Sequence, residues 1–514
     1  MTNTSYNAWI ENQFTIQSAF SIEQFTKDAT VYALDSIFAN GGDPQSVQPQ
    51  VYYWHSGWWQ YTMTSDDVLR NRIALALSEI FVISEIPVLD DVPLSLANYY
   101  DMLLQNSFGN FRDLLEDVTL HPAMGLYLTH VNNPKSDSTF NRFPDENYAR
   151  EVMQLFTIGL YKLNNDGTPI LDNNGNLIPT YDNFDIEEFA KVFTGLTYGD
   201  NWLFGQQPLS ELSYTLPMQM INFWHEPGPK YLLNNDSIPD RNPVDGMADV
   251  DDALDNLFYH PNVGPFIGRR LIQRLIKSNP SPEYIERVTL AFNNNGNGVR
   301  GDMKAMIKAI LLDPEARDCA AMSDPFEGML REPLVRYTQM CRAFNAFAPS
   351  GQFRNRMRNF YDATLQRTLS SPSVFNFFQP DYQPIGPIDD NDMVAPEFQI
   401  FNSVSVLGYA NELHEWIFKD DRAMEYVSFF QGEYTNSDNL VNLDFTDELA
   451  LEDLSEIGEL IERLNIILLH AQLTSETRAI VRDALEQIPN DRAEYRVRIA
   501  IFLLMLSPDY LIFR

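Results

Sequence analysis

Residues 142–159, RFPDENYAREVMQLFTIG, decide the predicted fold because they join a helix start signal to an apolar helix. A proline followed by two acidic residues is typical of a helix's first turn, and Gly159 is typical of its end. At about 100° per residue, Glu151 falls between Leu155 and Ile158 within a wide apolar arc. We therefore expect the Glu151 carboxylate to be buried.

A buried carboxylate without a partner costs several kcal/mol, so the fold must supply a cation, a metal ion or a raised pKa. Residues 65–84 predict a central helix that is apolar on nearly every side, with Arg70 as a second charge in apolar surroundings. We predict that Arg70 and Glu151 meet within hydrogen-bond distance. For Glu151 a structural ion pair is weighed against a catalytic or metal-binding role.

Length and charge restrict the class of protein. The 514 residues suffice for one large core or for two to four domains of about 150 residues. Lys and Arg number 36 and Asp and Glu 71, so the net charge is 36 − 71 = −35. This acidic surplus disfavours nucleic acid and anionic membranes as partners. No apolar run of about 18 residues is present, so we expect no transmembrane segment.

The chain start and the cysteines say little about the compartment. Residues 1–5 lack the charged and apolar regions of a signal peptide, so we expect either a cytoplasmic protein or an N-terminal region that was removed. Cys319 and Cys341 permit at most one internal bridge. The chain is therefore not a disulfide scaffold.

The hydrophobic periodicity predicts an all-α protein, a single large multi-helix domain over residues 1–514. A small β-hairpin insertion is expected at about 163–180, before a helix that begins near Asp185 with Glu188 as its capping partner. A C-terminal helical part is expected at about 397–514. No linker or internal repeat divides the chain.

An aromatic cluster occupies residues 52–61, YYWHSGWWQY. Aromatic faces pack well on sugar rings, so the cluster could form a carbohydrate-stacking surface. Burial in the core is the commoner role of such aromatic residues.

Two polar motifs are candidate sites. His121 precedes a helix-starting proline, where its ring could act as a ligand, a general base or a neutral cap. His225, Glu226 and Lys230 lie on a stiff loop rich in proline and glycine. They could form a ligand or acid–base set, or a rigid surface turn.

Five ordered stretches together resemble the bacterial family called domain of unknown function 1800, and the resemblance covers nearly the whole chain. They are RNRIALALS (70–78), HPAM (121–124), ENYARE (146–151), FTG (193–195) and HEPGPK (225–230). The ending SPDY (507–510) resembles the family's terminal pattern.

The chain departs from the family pattern in two places. The apolar helix-and-glycine segment usual ahead of residues 9–13 is missing, which suggests a processed or truncated start. Glu226 stands where an aspartate is expected, which puts the geometry of the histidine–acid loop in question more than its chemistry.

The resemblance implies a predominantly helical protein that is exported, whether periplasmic, at the cell surface or extracellular. It also implies a sulfatase-like companion protein of the family domain of unknown function 1501. No established reaction comes with the resemblance.

Two functions therefore stand as hypotheses. The first is a non-catalytic envelope scaffold, or a protein that binds a polysaccharide or a partner. The second is an exported enzyme, a metal-assisted or acid–base hydrolase that could use a divalent metal ion. Its site residues fall into a catalytic set and a structural or substrate-orienting set: His121, Glu151, His225, Glu226 and Lys230 in the first, Arg70, Arg72, Asn147 and Arg150 in the second.

Spatial convergence would discriminate between these functions. A single pocket holding these groups with shifted pKa values favours the enzyme. Separate ion pairs favour the scaffold.

Overall fold

The computed structural model of the 514-residue chain describes residues 5–514 apart from 18, 40, 42–49, 201–202, 209, 319–323, 325, 354–357 and 420–440. Cys319 lies outside the described residues, and with it the question of its pairing. Cys341 is buried.

The fold is predominantly helical, which confirms the predicted class. The N-terminal helices are α1 (Tyr6–Thr15), α2 (Ile22–Ala39), α3 (Val51–Thr64), α4 (Val68–Ser78), α5 (Pro93–Asn106), α6 (Phe111–Leu120), α7 (Pro122–Tyr127), α8 (Asn147–Gln154) and α9 (Asn183–Val192). The central helices are α10 (Gly246–Phe258), α11 (Val263–Leu275), α12 (Pro282–Asn293), α13 (Met303–Leu311), α14 (Pro333–Ala343) and α15 (Arg358–Thr364). The C-terminal helices are α16 (Ser403–Phe418), α17 (Thr446–Leu449), α18 (Ile457–Leu469), α19 (Ser475–Glu486), α20 (Glu494–Leu506) and α21 (Pro508–Leu511).

Short antiparallel pairs make up the β structure of the described residues. They are β1 (Leu196–Thr197) with β2 (Gln219–Met220), β3 (Lys230–Tyr231) with β4 (Ser237–Ile238), and β5 (Met329–Leu330) with β6 (Ile512–Phe513). The last pair joins the middle of the chain to its C-terminal end, with Met329 opposite Phe513.

The β-hairpin insertion is confirmed. Isolated antiparallel bridges join Tyr161 to Pro179, Leu163 to Pro169 and Leu171 to Leu177, between α8 and α9. The tight turns of this excursion contain Gly167 and Gly175, which both have positive φ. We call residues 160–180 the hairpin excursion.

One cluster of buried apolar side chains contains residues from Ile10 to Tyr510, so the first and last helices contribute to the same core. Most of the aromatic cluster belongs to it, whereas Tyr53 lies in a separate small cluster with residues of α2. Trp54, Trp58 and Trp59 of α3 are buried, and the rings of the last two pack edge to face at 4.9 Å. These rings stabilise the core and offer no surface to a sugar.

Several element boundaries differ from the prediction. The central helix α4 ends at Ser78, well before residue 84, and α8 is confined to residues 147–154. The capping box of α9 is formed by Asp182 and Asp185, one turn earlier than expected, because Asp182 is the residue that takes the extended N-cap backbone.

Among the described residues, no helix combines the length and the hydropathy needed to cross a membrane.

Candidate functional site

Two predicted site residues, His225 and Lys230, meet at one carboxylate, that of Asp249 on α10. His225 Nε2 lies 3.0 Å and Lys230 Nζ 2.6 Å from Asp249 Oδ2. Arg241 pairs with the other carboxylate oxygen, Oδ1. We call these four side chains the Asp249 network.

The polar groups of the Asp249 network satisfy one another. His225 Nδ1 donates to the carbonyl of Thr194 at 2.8 Å, so both ring nitrogens face acceptors. Lys230 Nζ also donates to the carbonyl of Glu226 at 2.8 Å. Burial opposes ionisation of Asp249, but hydrogen bonds from His225 and Lys230 lower the pKa of its carboxyl below the ordinary value. This arrangement is typical of a structural ion network.

The Glu226 side chain is not part of the Asp249 network and binds Ser136 instead. Its carboxylate oxygens accept hydrogen bonds from the backbone N–H of Ser136 at 2.6 Å and from the Ser136 hydroxyl at 2.8 Å. Glu226 therefore ties the loop after α7 to the loop that carries His225.

His121 is the N-cap of α7. Its Nδ1 accepts a hydrogen bond from the backbone N–H of Ala123 at 3.1 Å, so the proton of a neutral ring is on Nε2, which lies 2.8 Å from Asn98 Oδ1. Burial lowers the pKa of His121 to about 3. The capping alternative thus describes its observed contacts, with the ring neutral at physiological pH.

The predicted pairing of Arg70 with Glu151 is wrong. Arg70 Nη1 and Nη2 donate to the carbonyls of Leu104 and Ile16 at 3.0 and 3.3 Å. Its Nε lies 3.3 Å from Asp67 Oδ2. Helix α4 packs on α1, α5 and α11, whereas α8 packs on α9, so the two helices do not present these charges to each other. An arginine has five N–H groups, and backbone carbonyls can satisfy them without a distant carboxylate.

Glu151 is buried as predicted, but Arg70 is not its partner. Its Oε2 is buried and has no hydrogen-bond partner within the described part of the chain. Burial raises the pKa of its carboxyl, and Arg150 opposes that shift. Burial therefore favours the protonated form of the Glu151 carboxyl over the ionised form.

The start of α8 holds two further predicted residues. Asn147 Nδ2 donates to Thr129 Oγ1 at 3.5 Å, and Arg150 pairs with Glu146 at 3.2 Å on the surface. The predicted site residues are therefore dispersed, and His225 with Lys230 is the pair that meets. The catalytic and orienting roles assigned to these residues stay predictions.

A cavity of about 400 Å³ lies beside α11, lined also by the segment that follows α4, the hairpin excursion and residues 374–381. The side chains of Arg269, Arg270, Gln273 and Arg274 line it from α11. At about 100° per residue these four positions share one face of the helix. We call this space the α11 cavity.

Two buried amides hold the walls of the α11 cavity in place. Asn262, the residue before α11, donates to the carbonyls of Ile158 and Tyr161 at 2.8 Å each, which fixes the start of the hairpin excursion. At the other end of α11, Gln273 Nε2 donates to the carbonyl of Pro380 at 3.0 Å. The arginines therefore project from a helix that is tied at both ends.

Aromatic rings orient two of the arginines. The guanidinium of Arg270 lies 4.1 Å from the ring centre of Phe266, and that of Arg274 lies 4.3 Å from the ring centre of Phe378. Gly159 makes room for the first of these rings. A Cβ at Gly159 would come within 2.6 Å of Phe266, and the residue has a φ of +70°.

Polar atoms of residues that line the α11 cavity lack partners within the described residues. They are the donors Arg270 Nε, Arg274 Nη1 and Asn376 Nδ2 and the acceptor Gln273 Oε1. All four atoms are buried, and each such group costs about 1–3 kcal/mol when it is left unpaired. Buried groups of this kind at a cavity mark a place where a bound molecule or water completes the hydrogen bonds.

Behind the cavity lies a cluster of buried charges, formed by Arg72, Glu79, Arg274, Glu332 and Glu397. Arg274 Nε lies 3.2 Å from Glu79 Oε2, and Arg72 Nη2 lies 3.4 Å from Glu332 Oε1. Arg72 therefore takes part in a structural ion pair. We call this group the buried charge cluster.

The three carboxyls of the buried charge cluster do not share one ionisation state. Burial, reinforced by the nearby Glu332, raises the pKa of Glu79 well above its ordinary value. Burial also raises the pKa of Glu397 to about 8, and neither of its oxygens has a hydrogen-bond partner among the described residues. Although burial opposes it, Arg72 lowers the pKa of Glu332. Burial thus favours the neutral form of Glu79 and Glu397, whereas Arg72 favours the ionised form of Glu332.

The polar sequence motifs do not point to this site because its residues lie in an ordinary amphipathic helix. The available signal is three arginines and a glutamine on one face of residues 265–276. Among the described residues, no group of three or more His, Cys, Asp or Glu side chains has the arrangement of a metal site.

The sequence profile described as protein of unknown function (DUF1800) matches residues 1–512. The chain belongs to this family. The resemblance drawn from the five sequence stretches is thereby confirmed. No curated protein and no solved structure matches this DUF1800 chain.

Proposed function

We propose that this DUF1800 protein is a non-catalytic binding protein that receives a small organic ligand in the α11 cavity. The observation that carries the proposal is the set of unpartnered buried atoms on Arg270, Gln273, Arg274 and Asn376 around a cavity of about 400 Å³. Pockets for organic ligands typically measure about 300–1,000 Å³.

The composition of the cavity wall supports binding over turnover. The described lining residues include no histidine, serine, cysteine or lysine, so the acid–base groups of the wall are limited to the carboxyls of Glu79 and Asp381. The predicted histidine and lysine site residues are engaged in capping and in the Asp249 network. A rigid, arginine-rich wall suits recognition of a ligand.

One observation favours the alternative of an acid–base hydrolase. Glu79 lines the cavity with a raised pKa, and Asp381 supplies a second carboxyl at the same cavity. Glycoside hydrolysis uses two carboxyl groups, one of which has a raised pKa and acts as the acid. Release of 4-nitrophenol from 4-nitrophenyl glycosides, abolished by Glu79→Gln, would establish this alternative in place of a binding role.

The proposal includes location outside the cytoplasm, which the family resemblance suggests. Fractionation of the producing bacterium, followed by immunoblotting, would detect the protein in the periplasmic, surface or culture fraction. Affinity purification from that fraction would show whether a sulfatase-like companion of the family domain of unknown function 1501 copurifies. Cytoplasmic recovery would contradict the location while leaving the cavity proposal intact.

A fragment screen tests the binding role itself. A library containing neutral, cationic and anionic fragments is screened by thermal shift against the wild-type protein and two matched variants. Leu160→Trp places bulk at the cavity, whereas Leu290→Trp places it on exposed α12; the two leucines are 49% and 53% exposed. We expect fragments that stabilise the wild type and Leu290→Trp but not Leu160→Trp. Absence of any fragment with this pattern overturns the proposal.

A further inference from the structure

The charge of the α11 cavity differs from that of the whole chain. The protein carries a net charge of −35, yet three arginines line this one cavity. Two carboxyls line the same cavity, those of Glu79 and Asp381. Glu79 faces the buried Arg274, so Asp381 is the acidic group available to balance Arg269 and Arg270. The cavity is therefore an isolated positive site.

The buried charge cluster adds to that positive charge. Its members Glu79 and Glu397 are buried, and burial favours the neutral form of a carboxyl. Glu332 is the member whose ionised form the arginines favour, so the three carboxyls compensate Arg72 and Arg274 only in part. An anion in the cavity would supply the missing negative charge to Arg274.

The unpartnered atoms indicate which groups would complement the side chains that carry them. Three are N–H donors, on Arg270, Arg274 and Asn376, and they call for an acceptor with several lone pairs. Stacking on Phe266 and Phe378 fixes the planes of the two guanidinium groups and leaves their edges for oxygen atoms. The fourth atom, Gln273 Oε1, is an acceptor and calls for a hydroxyl.

The cavity also offers apolar surface. Tyr161 and Phe375 line it and are 43% and 45% exposed, so their ring faces are open to a second ring. Aromatic faces pack well on sugar rings and other rings with an apolar side. The cavity volume of about 400 Å³ accommodates one or two such rings.

We propose that the ligand of the α11 cavity is an acidic sugar, a hydroxylated ring that carries a carboxylate or a sulfate. Arg270, Arg274 and Asn376 bind the oxyanion, Gln273 accepts a hydrogen bond from a ring hydroxyl, and Tyr161 and Phe375 pack on the ring. The inference rests on the proposed binding function and adds the chemical class of the ligand.

Calorimetric titration with defined probes tests this class at constant ionic strength. Glucuronate supplies a carboxylate, glucose 6-sulfate a sulfate, glucose a neutral ring, glucosamine a cationic ring, and inorganic sulfate the oxyanion alone. We expect one or both acidic sugars to bind at least about tenfold tighter than glucose, glucosamine and inorganic sulfate, because a charged hydrogen-bonded pair and the ring contact act together. The tighter of the two acidic sugars identifies the oxyanion.

Matched variants locate the binding. Arg270→Met should weaken the acidic sugars at least about tenfold and leave the weak binding of glucose unchanged, and Arg269→Gln should weaken them less. Arg478→Met, which removes an exposed ion pair with Glu462 on another helix, should have no effect. Phe375→Ala should weaken the acidic sugars without changing the affinity for inorganic sulfate.

The inference is overturned if glucose or glucosamine binds as tightly as the acidic sugars, if Arg270→Met leaves their affinity unchanged, or if no probe binds. In each case the fragment screen still decides the proposed function. Neutral or cationic fragments that depend on the cavity would keep the binding role and remove only the acidic sugar.

Discussion

The Asp249 network and the α11 cavity treat buried charge in opposite ways. In the network, His225, Lys230 and Arg241 surround one carboxylate and complete its hydrogen bonds. In the cavity, Arg270 and Arg274 carry buried N–H groups for which the described protein supplies no acceptor. In the Asp249 network the charged groups have their partners, whereas in the α11 cavity the donors are present without acceptors.

The difference shows that density of polar residues is a poor guide to a binding site. The loop that carries His225 contains more residues of types common in active sites, yet these residues are hydrogen-bonded or ion-paired within the protein. The cavity is built from a plain helix whose arginines remain to be paired. A site is recognised by unsatisfied chemistry, which is a property of the folded structure.

The largest expected effect is on the network side of the comparison. Asp249→Asn removes the charge that compensates His225, Lys230 and Arg241, and we expect the free energy of unfolding to fall by about 3 kcal/mol or more. The pKa of Asp249 is lowered in the folded state, so its contribution is complete above about pH 4 and disappears only as the pH falls through the lower folded value. The measured loss should therefore be constant from pH 6 to 8.

Urea denaturation measures this loss, with Asp252→Asn as the control. Asp252 is exposed, lies on the same helix and pairs with the same Arg241 at 2.5 Å. Its replacement should cost less than about 1 kcal/mol. Equal losses for the two variants would show that the network is not the stabilising unit described here.

The second prediction concerns the charges behind the cavity. Burial raises the pKa of Glu397 to about 8, from about 4.3 in an unfolded chain. The stability that this group contributes is complete below the unfolded pKa and is lost as the pH rises through the folded pKa. Glu397→Gln cannot ionise, so its stability relative to the wild type should increase by at least about 2 kcal/mol between pH 5 and 9, given about 1.4 kcal/mol per unit of displacement.

Guanidinium denaturation across that pH range tests the prediction, because each comparison is made at one pH. Glu486→Gln, a change at an exposed residue of α19, is the control and should show no trend with pH. A flat difference for Glu397→Gln as well would mean that Glu397 is ionised and paired in the folded protein.

The sequence predicted well what periodicity governs. Helix α8, the hairpin excursion and the burial of Glu151 all follow from the spacing of apolar residues and from turn residues such as Gly167 and Gly175. Family membership followed from short ordered stretches. These are local properties of the chain.

The partners of the charges could not be predicted, because they depend on which helices pack together. Arg70 is satisfied by carbonyls of α5 and of the segment after α1, which no helical wheel of α4 contains. On α11, Arg274 lies against Phe378 and Glu79, and Gln273 donates to the carbonyl of Pro380, all of them distant in sequence. Only the folded structure brings these together.

The third prediction sharpens the cavity side of the comparison. Burial and the neighbouring Arg274 and Arg269 lower the pKa of Arg270 to about 9, so the unliganded protein is destabilised by this charge. Arg270→Met should raise the free energy of unfolding by about 1 kcal/mol and lower the ligand affinity. Opposite changes in stability and affinity are expected of a residue that is kept for binding. Arg478→Met should change stability by less than about 0.5 kcal/mol. A loss of stability in Arg270→Met would place this arginine with the Asp249 network as a structural group.

The smallest expected effect belongs to Glu151, a buried carboxyl whose Oε2 has no hydrogen-bond partner among the described residues. The pKa of this carboxyl is raised by burial, and the nearby Tyr127 and Tyr181 experience its charge when it ionises. Because Glu151→Gln resembles the protonated form, the free energy of unfolding at pH 5 should change by less than about 0.5 kcal/mol, with a small gain at pH 8. The same substitution would cost about 3–5 kcal/mol if Glu151 compensated a buried arginine.

Since Arg70 and Glu151 share no partner, Arg70→Met and Glu151→Gln should be additive in a double-mutant cycle measured by urea denaturation. A coupling energy above about 0.5 kcal/mol would contradict this expectation. It would show that Arg70 on α4 and Glu151 on α8 interact, although their contacts in the structure are with other groups.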